Sequence, residues 1–494
     1  MPTRRQFLRY AALTGTALAM PALPRPAAAS VSVNDIHSQL NATEVERIVL
    51  VDSESSLQAA IAAARAESKP ICIAGGRHAM GGQQFASNAT LLDTRPLRKI
   101  LNLDAKRGIV EVEAGIQWPD LIAGLIAMQS GQSQQWGIIQ KQTGADRLTI
   151  GGALGANIHG RGLTLKPIIG DVESFTLIDS EGNVRTCSRS ENSELFRLAI
   201  GGYGLFGPIL RVRLRLMPRT KMERVVKLMD VDELMPAFDQ RIKESFLFGD
   251  CQFSTDQSSD TYLRRGVFSC YRPLAPDVEM PKEEKELSES SWGHLYRLSH
   301  ADTRRAYEAY TSYYLSTTGQ RYWSDTSQLS VYIDNYHETL DRQLGAQHKG
   351  TEMISELYVP RAALPSFLAA VRADFRQYKA QLIYGTIRLI ERDTESFLAW
   401  AREPWVCTVM NLHVDHYAEG MRKAAAEFRR LIDRAIEHGG SYFLTYHRWA
   451  ERRQVDACYP QMAEFLRAKR RYDPGEIFQS DWYRHYKQMF GDKL

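Results

Sequence analysis

Two patterns of apolar and polar residues divide the chain. Between about Val45 and Pro218, short apolar runs alternate with amphipathic segments. "RIVLVDS" and "KPICIAGG" read as strands. "SSLQAAIAAARAES" reads as a helix opened by serine, with Leu57, Ile61 and Ala64 on one face. "WPDLIAGLIAMQSG" predicts a second helix, with Gly131 as its stop. "ATLLDTRPLRKILNLDAKRGIVEVEAGIQW" gives short strands and turns. "NSELFRLAIGG" is helical, and "PILRVRLRLMP" behind it alternates at period two, as a strand does. This is an α+β pattern and not a regular βαβ array.

From residue 219 the strand-like stretches are longer: "ERVVKLMDV", "TYLRRGVFSCYR", "EMISELYVP", "LIYGTIRLIE" and "CTVMNLHVDH". Pro281 to Asp302 is rich in Glu and Ser and reads as an exposed insertion. A long helix starts at Glu419, lines up Met421, Ala425, Phe428, Ile432 and Ala435, and ends at Gly439-Gly440. A turn follows at Asp473-Pro474-Gly475. With 494 residues the chain exceeds one typical domain. Residues 219–440 form a second domain, and 441–494 a C-terminal segment.

Residues 1–29 stand apart. "TRRQFLRY" carries paired arginines, an uncharged Ala/Leu-rich segment follows, and "PRPAAAS" offers an Ala-x-Ala cut at Ala27 to Ala29. Basic start, apolar middle and small-residue cut describe a secretory signal, and the Arg4-Arg5 pair resembles the twin-arginine type. The expected location is the periplasm or outside the cell, with no membrane span left after cleavage. Residues 1–29 hold four of the 62 basic residues and none of the 58 acidic ones, so the remainder is formally neutral. The basic pI therefore gives no argument for nucleic acid. The six cysteines, Cys72, Cys187, Cys251, Cys270, Cys407 and Cys458, show no metal-ligand spacing. They read as buried small hydrophobes with one disulfide at most, and no metal is expected.

Glycine clusters carry the chemistry. "AGGRHAMGGQ", Ala74 to Gln83, follows a strand and presents one imidazole, His78. "LTIGGALGANIHGRG", Leu148 to Gly162, places five glycines in fifteen residues and reads as a tight loop. "GYGLFG", Gly202 to Gly207, fits G-x-G-x-x-G but has a helix before it and a strand after it. A dinucleotide fingerprint needs the reverse order, so a nicotinamide site is not expected there.

Taken in series, these segments and "FTLIDSEGNVRTCSRSENSELFRLAIGGYGLFGPILRVRLRLMP" resemble the vanillyl-alcohol oxidase superfamily, flavoproteins with a PCMH-type FAD-binding domain. The resemblance spans about Thr43 to Pro218 and returns at "YDPGEIFQSDWY". It implies an α+β fold: a two-lobed PCMH-type FAD-binding domain over 30–218, to which 441–494 returns, and a substrate (cap) domain with an antiparallel sheet and helices. It places the FAD diphosphate on the loop with Gly75, Gly76, Arg77, Ala79, Met80 and Gln83. His78 matches the position that in many members bonds covalently to the flavin 8-methyl carbon. With no cysteine between Cys72 and Cys187, a single covalent link is expected. Gly144, Thr149, Gly151 and Gly152 would line the cofactor, together with Asn157, His159, Gly160 and Ile209.

The C-terminal half resembles the alditol and aldonolactone oxidases less tightly. In "YGTIRLIERDTESFLAW" Arg388 matches an active-site arginine, while Thr386 stands at the glutamate position. "NLHVDH" offers His413, and "YHRW" offers His447 and Arg448 where those oxidases carry a lysine. The implied reaction moves hydride from a CH–OH carbon of a small molecule (polyol, lactone or aromatic alcohol) to flavin, with oxygen or another acceptor downstream. Arg388 would stabilise charge and His413 or His447 would take the proton. An amine dehydrogenase of the cytokinin type, or a flavin-holding electron-transfer protein, are the alternatives.

Overall fold

The computed structural model describes residues 30–282, 286–330, 333 and 335–494. The expected signal segment, 1–29, lies outside them. Among the described residues no helix is long and apolar enough to cross a membrane.

The described residues form four sheets, of which a two-stranded antiparallel pair, Val31–Val33 with Thr43–Val45, is the smallest. The three-stranded sheet is parallel, with Thr90–Asp93 between Arg47–Leu50 and Ile71–Ala74. The helix Glu54–Glu67 connects its outer strands, starting at a Ser53–Ser56 capping box and burying Leu57, Ile61 and Ala64. The C-terminal segment joins this sheet at its edge: Ile71 N–H donates to Ile477, and Gln479 N–H donates to Ile71. An antiparallel sheet is built around Ile209–Pro218, which pairs with Val172–Ile178, Ile109–Glu113 and Trp136–Ile138. The alternation of "PILRVRLRLMP" is borne out there: Leu210, Val212, Leu214 and Leu216 are buried between half-buried or exposed arginines.

The largest sheet has eight antiparallel strands. Its order is Arg321–Trp323, Lys221–Asp230, Arg265–Pro273, Phe248–Phe253, Leu382–Ile390, Trp405–Asp415, Gly350–Pro360 and Ser441–Tyr442. The long helix Ala418–Glu437 buries Phe428, Leu431, Ile432 and Ala435. One core cluster runs continuously through the two larger sheets. All six cysteines are buried free thiols.

Three local expectations change. The helix Trp118–Met128 ends before Gly131, because the Gln129 side chain donates to the Leu125 and Trp136 carbonyls and closes the last turn. The second glycine cluster is not all loop: Ile150–Ala156 is a helix, capped by Thr149 Oγ1 accepting from Gly152 N–H at 3.2 Å. Pro281 to Asp302 is not simply exposed. Glu289–Ala301 is a helix whose Trp292, Leu295, Tyr296, Ser299 and His300 face an internal cavity. Their i, i+3, i+4, i+7 and i+8 spacing is that of one helix face.

Candidate functional site

The cavity, about 600 Å³, lies between the glycine segments and one face of the eight-stranded sheet. The strand Ile71–Ala74 feeds the first segment into its wall. A Cβ on Gly75 would stand 2.1 Å from Thr149 Oγ1, and one on Gly76 2.2 Å from the Arg147 carbonyl oxygen. Only glycine lets the two segments touch. Gln83 pins the turn from within: it accepts from Gly81 N–H at 2.9 Å and donates to Leu444 at 2.8 Å. Among the described residues, the amides of Gly75, Gly76, Arg77, His78 and Ala79 have no acceptor in the protein. Five successive open N–H groups form an anion-binding nest.

His78 sits inside this turn, buried, with Nδ1 2.7 Å from His37 Nε2. Its own Nε2 is buried without a hydrogen-bond partner. Burial, and then the neighbouring His37, hold its pKa well below the usual range. Burial lowers His37 to about 4. Both rings are therefore neutral at pH 7, and a neutral imidazole keeps a lone pair.

The structure distributes the second segment over two layers. Gly144, Gly151, Gly152, His159 and Ile209 line the cavity. Gly144, at φ +76, has open space where a Cβ would stand. Thr149, Asn157 and Gly160 do not line it, which corrects the expectation that they face a cofactor. Thr149 caps its helix and backs Gly75. Asn157, in the left-handed conformation, donates to Asp393 at 2.9 Å and accepts from Ile169 N–H at 3.2 Å, tying two loops together. Gly160 packs on the Lys141 carbonyl, where a Cβ would come within 2.7 Å.

The sheet supplies the opposite wall through strand alternation. Glu352, Ile354 and Glu356 point into the cavity from Gly350–Pro360, Val409 and Asn411 from Trp405–Asp415, and Tyr384 and Arg388 from Leu382–Ile390. Arg388 is buried and donates to Thr143 Oγ1. His413 is opposite Glu352 in register but is not part of the wall; it stands edge-on to His300, ring centroids 5.4 Å apart. His447 is not brought to the cavity: it is buried against Trp449 at 3.8 Å. Arg448, too, points elsewhere, donating to the Gly81 carbonyl at 2.8 Å.

Two buried glutamates that the sequence reasoning missed organise this wall. Glu356 accepts from Tyr358 at 2.7 Å and Tyr446 at 2.8 Å, and meets His159 Nε2 at 2.5 Å. Burial pushes its pKa up, but His159 and the two hydroxyls outweigh that and hold it at about 2. Glu352 meets His300 Nε2 at 2.8 Å and His337 Nδ1 at 3.1 Å. Burial lowers the His300 pKa, yet the Glu352 hydrogen bond and charge reverse the sign and raise it. Two groups, His159–Glu356–Cys407 and His300–Glu352–His413, each bring three metal-type donor atoms within 4.8 Å. In both, the carboxylate is already engaged by a histidine. The alternating acids in "EMISELY" were the available signal. A tyrosine-rich wall was also missed: Tyr307, Tyr310 and Tyr314 come from the helix Thr303–Leu315, at i, i+3 and i+7.

The residues fit FAD. An open amide nest suits a diphosphate, and a neutral, partly unsatisfied His78 stands in the same cavity. Comparison with known proteins agrees. Residues 45–188 match a family model described as an FAD binding domain. The chain is 26% identical over 197 residues to L-gulonolactone oxidase of Bos taurus, covering 40% of this chain and 43% of that protein. It is 30% identical over 185 residues to cytokinin dehydrogenase 7 of Oryza sativa subsp. japonica (35% and 33%). It is 28% identical over 195 residues to an uncharacterized oxidoreductase of Rhodococcoides fascians (40% and 42%). The chain thus spans less than half the length of the curated relatives it matches. Residues 45–188 are thus an FAD-binding domain of the PCMH type, in keeping with the resemblance to the vanillyl-alcohol oxidase superfamily.

Proposed function

We propose that this protein is an FAD-dependent oxidoreductase that removes hydride from a CH–OH carbon, with the flavin attached through His78. The observation that carries the reading is the single cavity shared by the open amides of Gly75 to Ala79, His78 and the charged sheet face. Bound FAD would supply the hydride acceptor and pass electrons to oxygen or another acceptor.

The chain's own residues supply the rest. Arg388 is a permanent cation fixed by Thr143, suited to stabilising negative charge that develops during hydride removal. On the sheet side, His159 and His300 are poor proton acceptors, because each engages both ring nitrogens. Asp250 differs. It lines the cavity, and among the described residues nothing donates to its carboxylate. It is the group placed to take the hydroxyl proton of a substrate. Export is supported by the paired arginines and apolar run of residues 3–29.

The test is the purified protein, precipitated in acid. Yellow colour retained on the polypeptide supports the tether, and complete loss of FAD defeats it. Anaerobic bleaching of the flavin by one member of a panel of polyols, aldonolactones and aromatic alcohols then identifies the donor. The match to cytokinin dehydrogenases adds secondary amines to that panel. Bleaching by amines alone would replace the CH–OH reading.

A further inference from the structure

Three arginines face the cavity from its substrate side: Arg161, Arg224 and Arg388. Among the described residues none of them has a carboxylate oxygen within 4.0 Å. Burial opposes each of these cations, but the tyrosines around Arg161 and Arg224, and Asp250 beside Arg161, outweigh it and raise the pKa of both, so both stay charged. Arg388 is already assigned to the reaction centre. Arg161 and Arg224 form a separate pair. Their guanidinium carbons lie 4.8 and 5.2 Å from the centroid of one ring, that of Tyr271.

Each is held in place by neutral acceptors. Arg161 donates to the Ser327 carbonyl at 2.5 Å, while its Nε is buried with no acceptor. Arg224 donates to Tyr271 Oη at 2.9 Å and Thr317 Oγ1 at 3.1 Å, and is flanked by the rings of Tyr314 and Tyr322 at 5.3 and 4.5 Å. Aromatic faces stabilise a cation but leave its outer donors free for an oxyanion. Asp250 and Glu286 are acidic groups of the same chamber; neither comes within 4.0 Å of these guanidinium groups, although the charge of Asp250 acts on Arg161. The diphosphate of a cofactor does not account for the pair. Its open amides are on the loop Gly75 to Ala79, whereas Arg161 and Arg224 pack on Tyr271 of the eight-stranded sheet.

We infer that Arg161 and Arg224 form a carboxylate-binding subsite, so that the substrate is a ring-bearing organic acid whose carboxylate is held there. The ring follows from the walls next to the pair. Tyr310 and Tyr314 stack with centroids 4.3 Å apart, and Tyr307, Tyr384 and Trp292 continue the surface. Flat aromatic walls accept an aryl ring or the apolar face of a sugar ring. A bidentate guanidinium contact orients the acid within the cavity.

The inference rests on the cavity being the substrate chamber proposed above, and its test does not require flavin. Benzoate, benzamide and glucuronate are titrated into the full-length purified protein by calorimetry, with flavin content measured separately. Benzoate is expected to bind at least tenfold tighter than benzamide. Arg161→Gln and Arg224→Gln should each weaken it at least tenfold, and Arg161→Lys should recover part of the loss. Circular dichroism and flavin content check that the variants are folded. Glucuronate binding in place of benzoate, with the same arginine dependence, keeps the carboxylate subsite and assigns a sugar-ring acid. Equal binding of benzoate and benzamide overturns the inference, as does binding unchanged in both glutamine variants, or no binding of either acid. A protein without flavin overturns the oxidoreductase reading, while the calorimetry still decides the subsite.

Discussion

His37 Nε2 lies 2.7 Å from His78 Nδ1, and the two rings are tilted 54° with centroids 4.8 Å apart. One of the two facing nitrogens donates and the other accepts, so His37 sets which nitrogen of His78 carries its proton. His78→Ala should abolish colour in the acid-precipitated polypeptide. His37→Ala should lower the covalently held fraction several-fold while leaving flavin binding in the native protein. Equal covalent fractions in wild type and His37→Ala would show that the pair does not act on attachment.

Gly76 faces the Arg147 carbonyl, a backbone atom that cannot swing aside. Gly76→Ala should therefore displace the nest and reduce flavin content in the purified protein by more than half. Gly131→Ala is the control: its Cβ would have open space, although its φ of +78 adds backbone strain. It should retain full flavin content.

Glu356→Leu would leave His159, Tyr358 and Tyr446 without their shared acceptor in a buried site. Losing one partner of such a network costs about 3 kcal/mol. Denaturant unfolding should show that loss, with Glu356→Gln destabilising less because the amide oxygen still accepts.

Acid should weaken the fold in two ranges. The pKa of His37 falls from 6.5 to about 4 in the fold, and that of Glu356 from 4.5 to about 2. In each case the unfolded chain takes up the proton first, so stability is full above the ordinary value and is lost as pH falls through the shifted one. His300 runs the other way: its raised pKa gives stability at low pH that is lost as pH rises past it. The urea midpoint, followed downward from pH 7, should fall first between 6.5 and about 4, then more steeply below 4.5. His37→Ala should reduce the first loss but not abolish it, because His78, His447 and His485 are also held below the usual imidazole range.

Arg388→Ala should lower turnover of whichever donor bleaches the flavin by at least about tenfold, the size expected for a charge-stabilising donor. Flavin content should change little, since Arg388 stands on the sheet wall and not in the glycine loop. Arg388→Lys should recover only part of the rate, because a lysine cannot reproduce the planar fork held by Thr143.

Much of the frame was legible in the residues. The alternation from Ile209 to Pro218, the helix after Tyr417 and the strand Leu382–Ile390 all follow from local periodicity. The glycine turn around His78 was legible as well, because a loop with four glycines announces close backbone approach. The errors concern side-chain direction. Asn157 and His447 are polar residues in suggestive neighbourhoods, yet one ties loops together and the other packs on Trp449. The helix Glu289–Ala301 looked exposed because its outer face is polar, and its inner face becomes meaningful only against the sheet.

By itself the sequence determined the order of elements, the two glycine segments and the imidazole between glycines, since these depend on neighbours within a few turns of chain. Tertiary structure alone decided which charged groups share a cavity. Glu352 and Glu356 meet His300 and His159 across 52 and 197 residues. Arg161 and Arg224 converge on Tyr271 from separate parts of the chain. Such pairings are set by strand register and sheet order, long-range contacts whose cost and reward no local pattern records.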